Sequence, residues 1–448
     1  MIPLIAFGIV VAGVWGLQDP FVGLLGLLAA TIIQPGELFP LFNAMHVERI
    51  LSAVVFISMF THGGKLRFPP LTKKIIWFFV ACLASIPLSF WISNSITSTI
   101  DFGKMVILSL MITSLVQTRK QFRILVFVFA LLIAYLAATS IISYMQGNFE
   151  VRMNVDRAVG LTSASDNPDT LGLTIAMSLP IFCLFLTKGT KWITKLSVVA
   201  LMGLCMLALM LTGSRGSVLT LVAMAGIAAM RSRKRFVIIP AAAIAGIVIW
   251  SVLPAQYQAR YATVDNLKHD DSYQNRLISW EGGWHMFLHN PLTGIGVGNY
   301  VYANGMKYWP GPGRRHWLDA HSLYFKVLGE LGLVGMITFF GFVWHFYRTN
   351  STMSKTMKDD PEKYPPWMRM YPEACNIDII GLLYCGYAYH DLFRDTWYTM
   401  AGMSAALYLI LQREMAEQSG AEEGKAAKES AAIASPPEAA LVKGSSWA

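Results

Sequence analysis

Apolar runs follow one another along this sequence, separated by short polar connections, from the N-terminus to about residue 412. A transmembrane helix needs about 17–25 mostly apolar residues, and the sequence supplies such segments repeatedly. The pattern predicts an all-α, polytopic transmembrane helical bundle with about twelve or thirteen spans. The predicted spans are 2–17, 21–33, 50–62, 75–93, 102–116, 124–145, 170–187, 196–212, 217–230, 236–253, 321–347, 374–390 and 396–412.

The first two runs are short and are separated by Gln18-Asp19-Pro20. This spacing fits either a tight turn between two short helices or a break within a re-entrant pair, so the orientation of the N-terminus stays open. The N-terminus lacks the basic region and the small-residue cleavage site of a secretory signal, so the first run is expected to be retained.

Composition agrees with a membrane protein and excludes a soluble globule, since 54% of the 448 residues are apolar and only 14% are charged. Cytoplasmic loops retain an excess of Lys and Arg. Every second connection is basic, so these connections are expected inside and the others outside. The net charge of +9 does not indicate nucleic-acid binding, because the sequence offers no soluble basic face. The basic connections contain Lys65–Lys74, Arg119–Arg123, Lys188–Lys195, Arg231–Arg235 and Arg348–Arg369.

Four regions are predicted from this pattern. Residues 1–253 form an N-terminal transmembrane bundle, 254–320 a long periplasmic loop with amphipathic helices, and 321–412 the C-terminal transmembrane helices. Residues 413–448 are rich in Ala, Glu, Lys, Ser and Pro and are predicted to be a disordered cytoplasmic tail. The long loop far exceeds the usual connection length, so functional residues are expected there.

The five cysteines lie within or at the edge of apolar spans, and none lies in the long loop. They are predicted to be small core residues without a disulfide framework or a zinc site. His269, Asp270 and Asp271 are adjacent and converge poorly on one ion, so a divalent metal site is not the favoured interpretation.

Arg215 lies in the sequence Thr212-Gly213-Ser214-Arg215-Gly216-Ser217, between two apolar runs that leave room only for a tight external turn. One interpretation is a side chain that snorkels to the membrane surface. The surrounding glycines and serines favour the other interpretation, in which backbone N–H groups and the helix dipole help the arginine to bind an anion.

In the long loop, Arg276, Trp280 and Trp284 share one helical face at i, i+4 spacing. This face fits either an interfacial helix anchored by tryptophans or a ligand-binding helix. Arg276 near a helix N-terminus opposes the macrodipole, which indicates a bound anion. Three further external cations are individually expected to be solvated: Arg260, Arg314 and Arg315.

The run Gly294-Ile295-Gly296-Val297-Gly298 has no βαβ context and is not a nucleotide signal, so a tight turn that returns the loop to the membrane is predicted. His321 follows Asp319, a plausible N-cap, and opens the next apolar run. It is either structural or a general base. Glu330 lies about 13 Å deeper on the same helix and is either functional or a partner for neighbouring polar groups.

In this order, these segments resemble the O-antigen ligase and polymerase superfamily of bacterial membrane glycosyltransferases. The resemblance covers residues 160–345 and includes the large external loop between two late spans. The segments that carry it are Ser214–Gly216, Arg276–Trp280, Asn290–Gly298 and His321–Tyr324, followed by Glu330–Gly335.

The N-terminal segment is similar to ligase-like proteins found beside exopolysaccharide and exosortase systems. That similarity rests on Pro35, Pro40 and His46–Arg49.

The resemblance implies a GT-C-like fold in the bacterial inner membrane and transfer of a glycan from undecaprenyl diphosphate to an acceptor hydroxyl on the periplasmic side. The implied reaction inverts the anomeric carbon and uses no metal or other cofactor. Arg215 and Arg276 carry over as ligands of the diphosphate, and His321 as the base that takes the hydroxyl proton. Arg260 is chosen as a third diphosphate ligand without a motif match.

Asp319, Glu330 and Trp280 are predicted to support these residues. The partners are the lipid-linked donor, the acceptor and membrane lipids, without nucleic acid. The acceptor alternatives are a lipopolysaccharide core, a growing polymer and a protein Ser or Thr. A non-catalytic flippase or transporter of lipid-linked glycans is the alternative from another class, although it predicts internal repeats that the sequence does not display.

Overall fold

The computed structural model describes residues 2–152, 155–162, 165–231, 236, 240, 247, 250–251, 254–262, 271–311, 316–387, 389 and 392–434. Within this part of the chain the protein is a helical bundle. Its helices are α1 (Ile2–Trp15), α2 (Pro20–Ile33), α3 (Pro35–Leu38), α4 (Pro40–Ala44), α5 (Val47–Thr61), α6 (Pro70–Ser85), α7 (Ile92–Leu115), α8 (Arg119–Met145), α9 (Pro168–Phe182), α10 (Trp192–Leu211), α11 (Arg215–Arg231), α12 (Ala255–Ala262), α13 (Asp271–His289), α14 (Tyr300–Ala303), α15 (Leu323–Asp359), α16 (Pro366–Cys385) and α17 (Asp395–Ala434).

The all-α polytopic prediction is confirmed. Among the described residues, six helical segments are long and apolar enough to cross a membrane: Pro70–Leu88, Ile92–Leu115, Arg119–Met145, Pro168–Leu186, Trp192–Leu211 and Leu323–Asp359. Helix α10 also exposes large apolar side chains, among them Trp192 at 72% and Leu196 at 60%. Such a surface suits lipid rather than water. The total of twelve or thirteen spans stays a prediction, and the predicted span 236–253 falls largely outside the described residues.

Aromatic rings fill the centre of the bundle, where α6, α7, α15 and α17 pack together. The Phe78 ring lies 5.4 Å from the rings of Phe102 and Phe339, and the Phe102 ring lies 4.8 Å from that of Tyr398. All five cysteines are free and buried or half-buried, as predicted. In lipid, close packing of this kind holds helices together, because the hydrocarbon surroundings are as apolar as the side chains.

The predicted boundary between spans 75–93 and 102–116 is wrong. Helix α7 starts at Ile92, ten residues earlier than predicted. Asn94 and Ser95 fall between the two predicted spans, but they lie inside α7 and bind another segment. Asn94 donates to the carbonyl of Gly298 at 2.7 Å, and Ser95 donates to that of Val297 at 3.0 Å. A polar helical face is therefore satisfied by the glycine turn of the long loop.

Loop 146–169, which is predicted to be external, contains a short antiparallel hairpin that the all-α pattern did not predict. Its strands are β1 (Phe149–Arg152) and β2 (Val155–Ala158), with Val151 opposite Asp156. Tyr257 at the start of the long loop bonds the hairpin, since its hydroxyl donates to the Asp156 carbonyl. The hairpin thus connects loop 146–169 with the start of the long loop.

The disordered cytoplasmic tail predicted for 413–448 stays a prediction, although α17 continues into it as far as Ala434. Ala, Glu and Lys are strong helix formers, which accounts for a helix in a segment of this composition. Glu414 also anchors it, since Arg119 Nε lies 2.6 Å from Glu414 Oε1.

Helix α15 is broken at Gly332, where φ is 60° and ψ is −153°. The glycine turn of the long loop fills the break. The backbone N–H groups of Ile295 and Gly296 donate to the carbonyls of Gly329 and Glu330 at 3.0 and 2.8 Å, and the Leu333 N–H donates to the Pro291 carbonyl at 2.9 Å. These bonds satisfy groups that the break removes from the helical pattern. Gly294, Gly296 and Gly298 all have positive φ, which confirms the predicted tight turn.

Candidate functional site

Arg215 is the first residue of α11, directly after the turn that ends α10. Ser214 precedes it, and the Ser214 hydroxyl accepts the backbone N–H of Ser217 at 3.4 Å, as a helix N-cap does. The Arg215 side chain is half-buried. The structure thus places a guanidinium group beside a helix N-terminus, where the dipole also attracts negative charge.

A buried arginine that the sequence pattern did not single out holds the same turn. Arg157, on β2, is fully buried. Its Nε donates to the Thr212 carbonyl at 2.7 Å, and its Nη2 donates to Asp169 Oδ1 at 2.6 Å. Arg157 therefore fixes the hairpin to the end of α10. Both partners are distant in sequence, so no local motif marks this residue.

Three hydroxyl groups meet on another side of the turn. Ser214 Oγ lies 2.9 Å from Ser217 Oγ, and the hydroxyl of Tyr389 bonds to Ser214 and lies 3.3 Å from Ser217 Oγ. All three residues are buried. Tyr389 belongs to the connection between α16 and α17, 175 residues after Ser214, and the sequence pattern gave no signal for it.

Arg276 and Trp280 lie one turn apart on α13, as predicted. The Trp280 ring is buried, stacks on Phe325 of α15 with centroids 5.5 Å apart, and meets the Tyr387 ring edge-on at 4.7 Å. Arg276 is half-buried, whereas Trp284 is 47% exposed. A helix that only rested in the interface would not bury Trp280 against the bundle. These contacts fix the position of α13 beside the start of α15.

His321 lies just before α15 and has a φ of +43°, a backbone conformation that few non-glycine residues adopt. Its side chain is half-buried. The adjacent Leu323 N–H donates to the Gly386 carbonyl at 2.7 Å, and the Ser322 hydroxyl donates to the same carbonyl at 3.3 Å. The backbone around His321 is therefore held by the α16–α17 connection. Backbone conformations of this kind cluster at functional sites.

The predicted N-cap role of Asp319 is wrong, because Ser322 occupies the N-cap position of α15. Asp319 Oδ1 instead accepts the Ala320 N–H at 2.7 Å, and its carboxylate pairs with Lys326 Nζ at 2.8 Å. Attraction to the Lys326 ammonium group accounts for the position of the Asp319 carboxylate. Lys326, which the sequence pattern did not single out, also lies 3.9 Å from Glu330.

Glu330 is fully buried and holds the long loop against α15. Its Oε1 accepts the Tyr300 N–H at 3.2 Å, and the Tyr300 hydroxyl donates to the Ser279 carbonyl of α13 at 2.6 Å. Burial raises the pKa of Tyr300, so its hydroxyl stays protonated and able to donate. Of the two interpretations of Glu330, these contacts favour that of a partner for neighbouring polar groups.

The connection between α16 and α17 contacts all three predicted elements of the site. Gly386 binds the start of α15 beside His321, Tyr387 contacts Trp280, and Tyr389 contacts Ser214. Contacts through one short segment thus join the Arg215 turn, the Arg276 helix and the His321 segment.

Several predicted residues lie outside what the structure describes. They are the side chains of Arg260 and Asp271, and the whole of His269, Asp270, Arg314 and Arg315. In the described part of the chain, no group of three or more His, Cys, Asp or Glu side chains is placed to hold a metal ion.

This architecture defines a multi-pass, all-α membrane protein in which the connection between α16 and α17 contacts the Arg215 turn, the Arg276 helix and the His321 segment. Residues 198–340 match the family model described as O-antigen ligase. The match covers about a third of the chain, includes Arg215, Arg276 and His321, and confirms the resemblance to the O-antigen ligase superfamily. It supports the general activity of an O-antigen ligase- or polymerase-type membrane glycosyltransferase. Comparison with curated proteins gave no match.

Proposed function

We propose that this protein transfers a glycan from undecaprenyl diphosphate to an acceptor hydroxyl at the periplasmic face of the bacterial inner membrane. The observation that carries the proposal is the convergence of three elements on one short connection. Gly386, Tyr387 and Tyr389 contact the His321 segment, the Arg276 helix and the Arg215 turn. The family match spans all three of these elements.

The proposed roles follow from the charge that develops during transfer. As the bond between the anomeric carbon and the diphosphate oxygen breaks, negative charge grows on the leaving group. Arg215 and Arg276 neutralise that charge, since a guanidinium group binds phosphate oxygens through two parallel hydrogen bonds. The bound cations also remove the need to protonate the diphosphate. Arg260 is proposed as the third cation.

His321 is proposed to act on the opposite side of the anomeric carbon. Its imidazole accepts the proton of the acceptor hydroxyl while the hydroxyl oxygen forms the new bond to carbon, which inverts the anomeric configuration. Asp319, Glu330 and Trp280 support this arrangement through Lys326, the long loop and Phe325. No metal ion is required, because the arginines supply the positive charge.

The acceptor is proposed to be the hydroxyl of a glycolipid, as in a ligase. The motifs are shared with polymerases and with transferases that modify protein Ser or Thr. The test is therefore reconstitution with a glycan linked to undecaprenyl diphosphate, offered separately with a lipopolysaccharide core, a free glycan chain and a Ser/Thr peptide. Mass analysis of the product identifies the acceptor, and undecaprenyl diphosphate is released in equal amount. Movement of labelled donor across the bilayer without that release would overturn the proposal in favour of a flippase.

A further inference from the structure

The connection between α16 and α17 lies outside both the long loop and the family match at 198–340. We propose that Tyr389 in this connection is a positioning residue for Arg215. Its hydroxyl and ring fix the turn from which the Arg215 guanidinium binds the donor diphosphate. This inference rests on the diphosphate-binding role given to Arg215 in the proposed function.

The polar part of the contact is a closed set of hydroxyl groups around the start of α11. Tyr389 bonds to Ser214, and both lie within hydrogen-bond distance of Ser217. Ser217 in turn donates to the carbonyl of Asp169 on α9 at 3.3 Å. Ser214 and Ser217 flank Arg215 and Gly216 on either side, so Tyr389 holds the backbone immediately around the guanidinium-bearing residue.

The steric part of the contact involves Gly216. A Cβ atom at Gly216 would lie 2.4 Å from the Tyr389 ring, well inside normal contact distance. The ring thus packs directly on the backbone of the residue after Arg215. Only glycine permits this approach, which accounts for the Arg215-Gly216 pair in the sequence.

The turn passes through Gly213, whose φ of +59° is a left-handed backbone conformation that glycine adopts readily. Arg157 fixes the side before this glycine through the Thr212 carbonyl, and Tyr389 fixes the side after it through Ser214. A guanidinium group stabilises a leaving diphosphate best when its position is set before the reaction starts. The two contacts together supply that preorganisation.

The experiment measures binding of undecaprenyl diphosphate to the full-length protein in detergent, and transfer kinetics after reconstitution. Tyr389→Phe keeps the ring and removes the hydroxyl. We expect Kd for undecaprenyl diphosphate and KM for the glycan donor to rise about three- to tenfold, the effect of one lost hydrogen bond. KM for the acceptor should not change, because Arg215 does not bind the acceptor. A general loss of structure would raise KM for the donor and KM for the acceptor alike.

Ser214→Ala tests the same contact from the other side and does not alter the packed ring. The double variant should lose less affinity for undecaprenyl diphosphate than the sum of the two single losses, because both changes remove the bond between Ser214 and Tyr389. Each single change also removes a separate contact with Ser217. Tyr371→Phe is the matched control. Tyr371 is also buried, and its hydroxyl donates to the Met400 carbonyl at 3.2 Å, away from the site.

Equal affinity in Tyr389→Phe and Tyr371→Phe, or fully additive losses in the double variant, would overturn the positioning role. A wild-type protein that binds undecaprenyl diphosphate but transfers no glycan would overturn only the proposed function. A wild type that neither binds nor transfers would overturn both.

Discussion

Replacing His321 by asparagine separates the loss of a base from the loss of backbone geometry. His321 has a φ of +43°, and asparagine is among the few residues that share histidine's tolerance of this region. Alanine lacks that tolerance and would add about 1 kcal/mol of backbone strain. Asparagine is also polar and smaller than histidine, so it fits the half-buried position without a new clash.

The expected effect on rate is large, whereas the effect on folding is small. A positioned general base contributes about 10²–10⁴-fold to a proton-transfer step, so turnover by His321→Asn should fall by about that factor. The contacts that fix this segment are the bonds of Ser322 and Leu323 to Gly386, and the substitution leaves them in place. Thermal stability should therefore stay close to that of the wild type.

The assay compares turnover and donor binding in His321→Asn with those of the wild type and of His345→Asn. His345 lies on α15, the helix that follows His321. It is also half-buried and contacts the Gly341 carbonyl at 2.9 Å, far from the loop end. Donor binding should persist in His321→Asn, since the arginines hold the diphosphate. The wild-type rate should decline as pH falls, because a protonated imidazole has lost its capacity to accept a proton.

Normal turnover by a folded His321→Asn protein would refute the role of His321 as the base. A reduced turnover with the same pH dependence as the wild type would refute the assignment of the titrating group.

Three further predictions concern the cations. Arg215→Ala and Arg276→Ala should each abolish transfer with normal expression and melting temperature, while Lys at either position restores only part of the rate; full activity in an alanine variant would exclude that arginine from the site. Arg157→Met should lower the free energy of unfolding by about 2–4 kcal/mol, because it removes the bonds of the Arg157 side chain to Thr212 and Asp169. An unchanged melting temperature would contradict this expectation. Chelation with EDTA should leave the rate unchanged, and a loss restored by Mg²⁺ or Mn²⁺ would indicate a metal-dependent mechanism.

The helical class and most helix positions follow from the apolar runs alone, because a lipid-exposed span must be both apolar and helical. The same rule failed at residues 93–99, where serine, threonine and asparagine interrupt the apolar pattern. Two of those side chains, Asn94 and Ser95, bond to the glycine turn at Gly298 and Val297, more than 200 residues away. A local pattern carries no information about such a partner.

In the candidate site too, residues within local motifs were predicted, whereas residues that act through distant contacts were not. Arg215, Arg276 and His321 were identifiable because each lies within a short motif at a predicted span end or within the long loop. Arg157 and Tyr389 were missed because their importance depends on contacts between distant segments. Residue type gave no help either, since a buried arginine on a short strand and one tyrosine among 17 are unremarkable in a sequence.

The broken helix α15 has a consequence for how the long loop can change over time. The break at Gly332 attaches the loop at its glycine turn, and Gly386 attaches the segment where the loop ends beside His321. Neither set of backbone bonds involves residues 301–311. We therefore expect this part of the loop surface to accept substitutions while the backbone at His321 keeps its position, so the two parts of the loop can diverge at different rates in evolution.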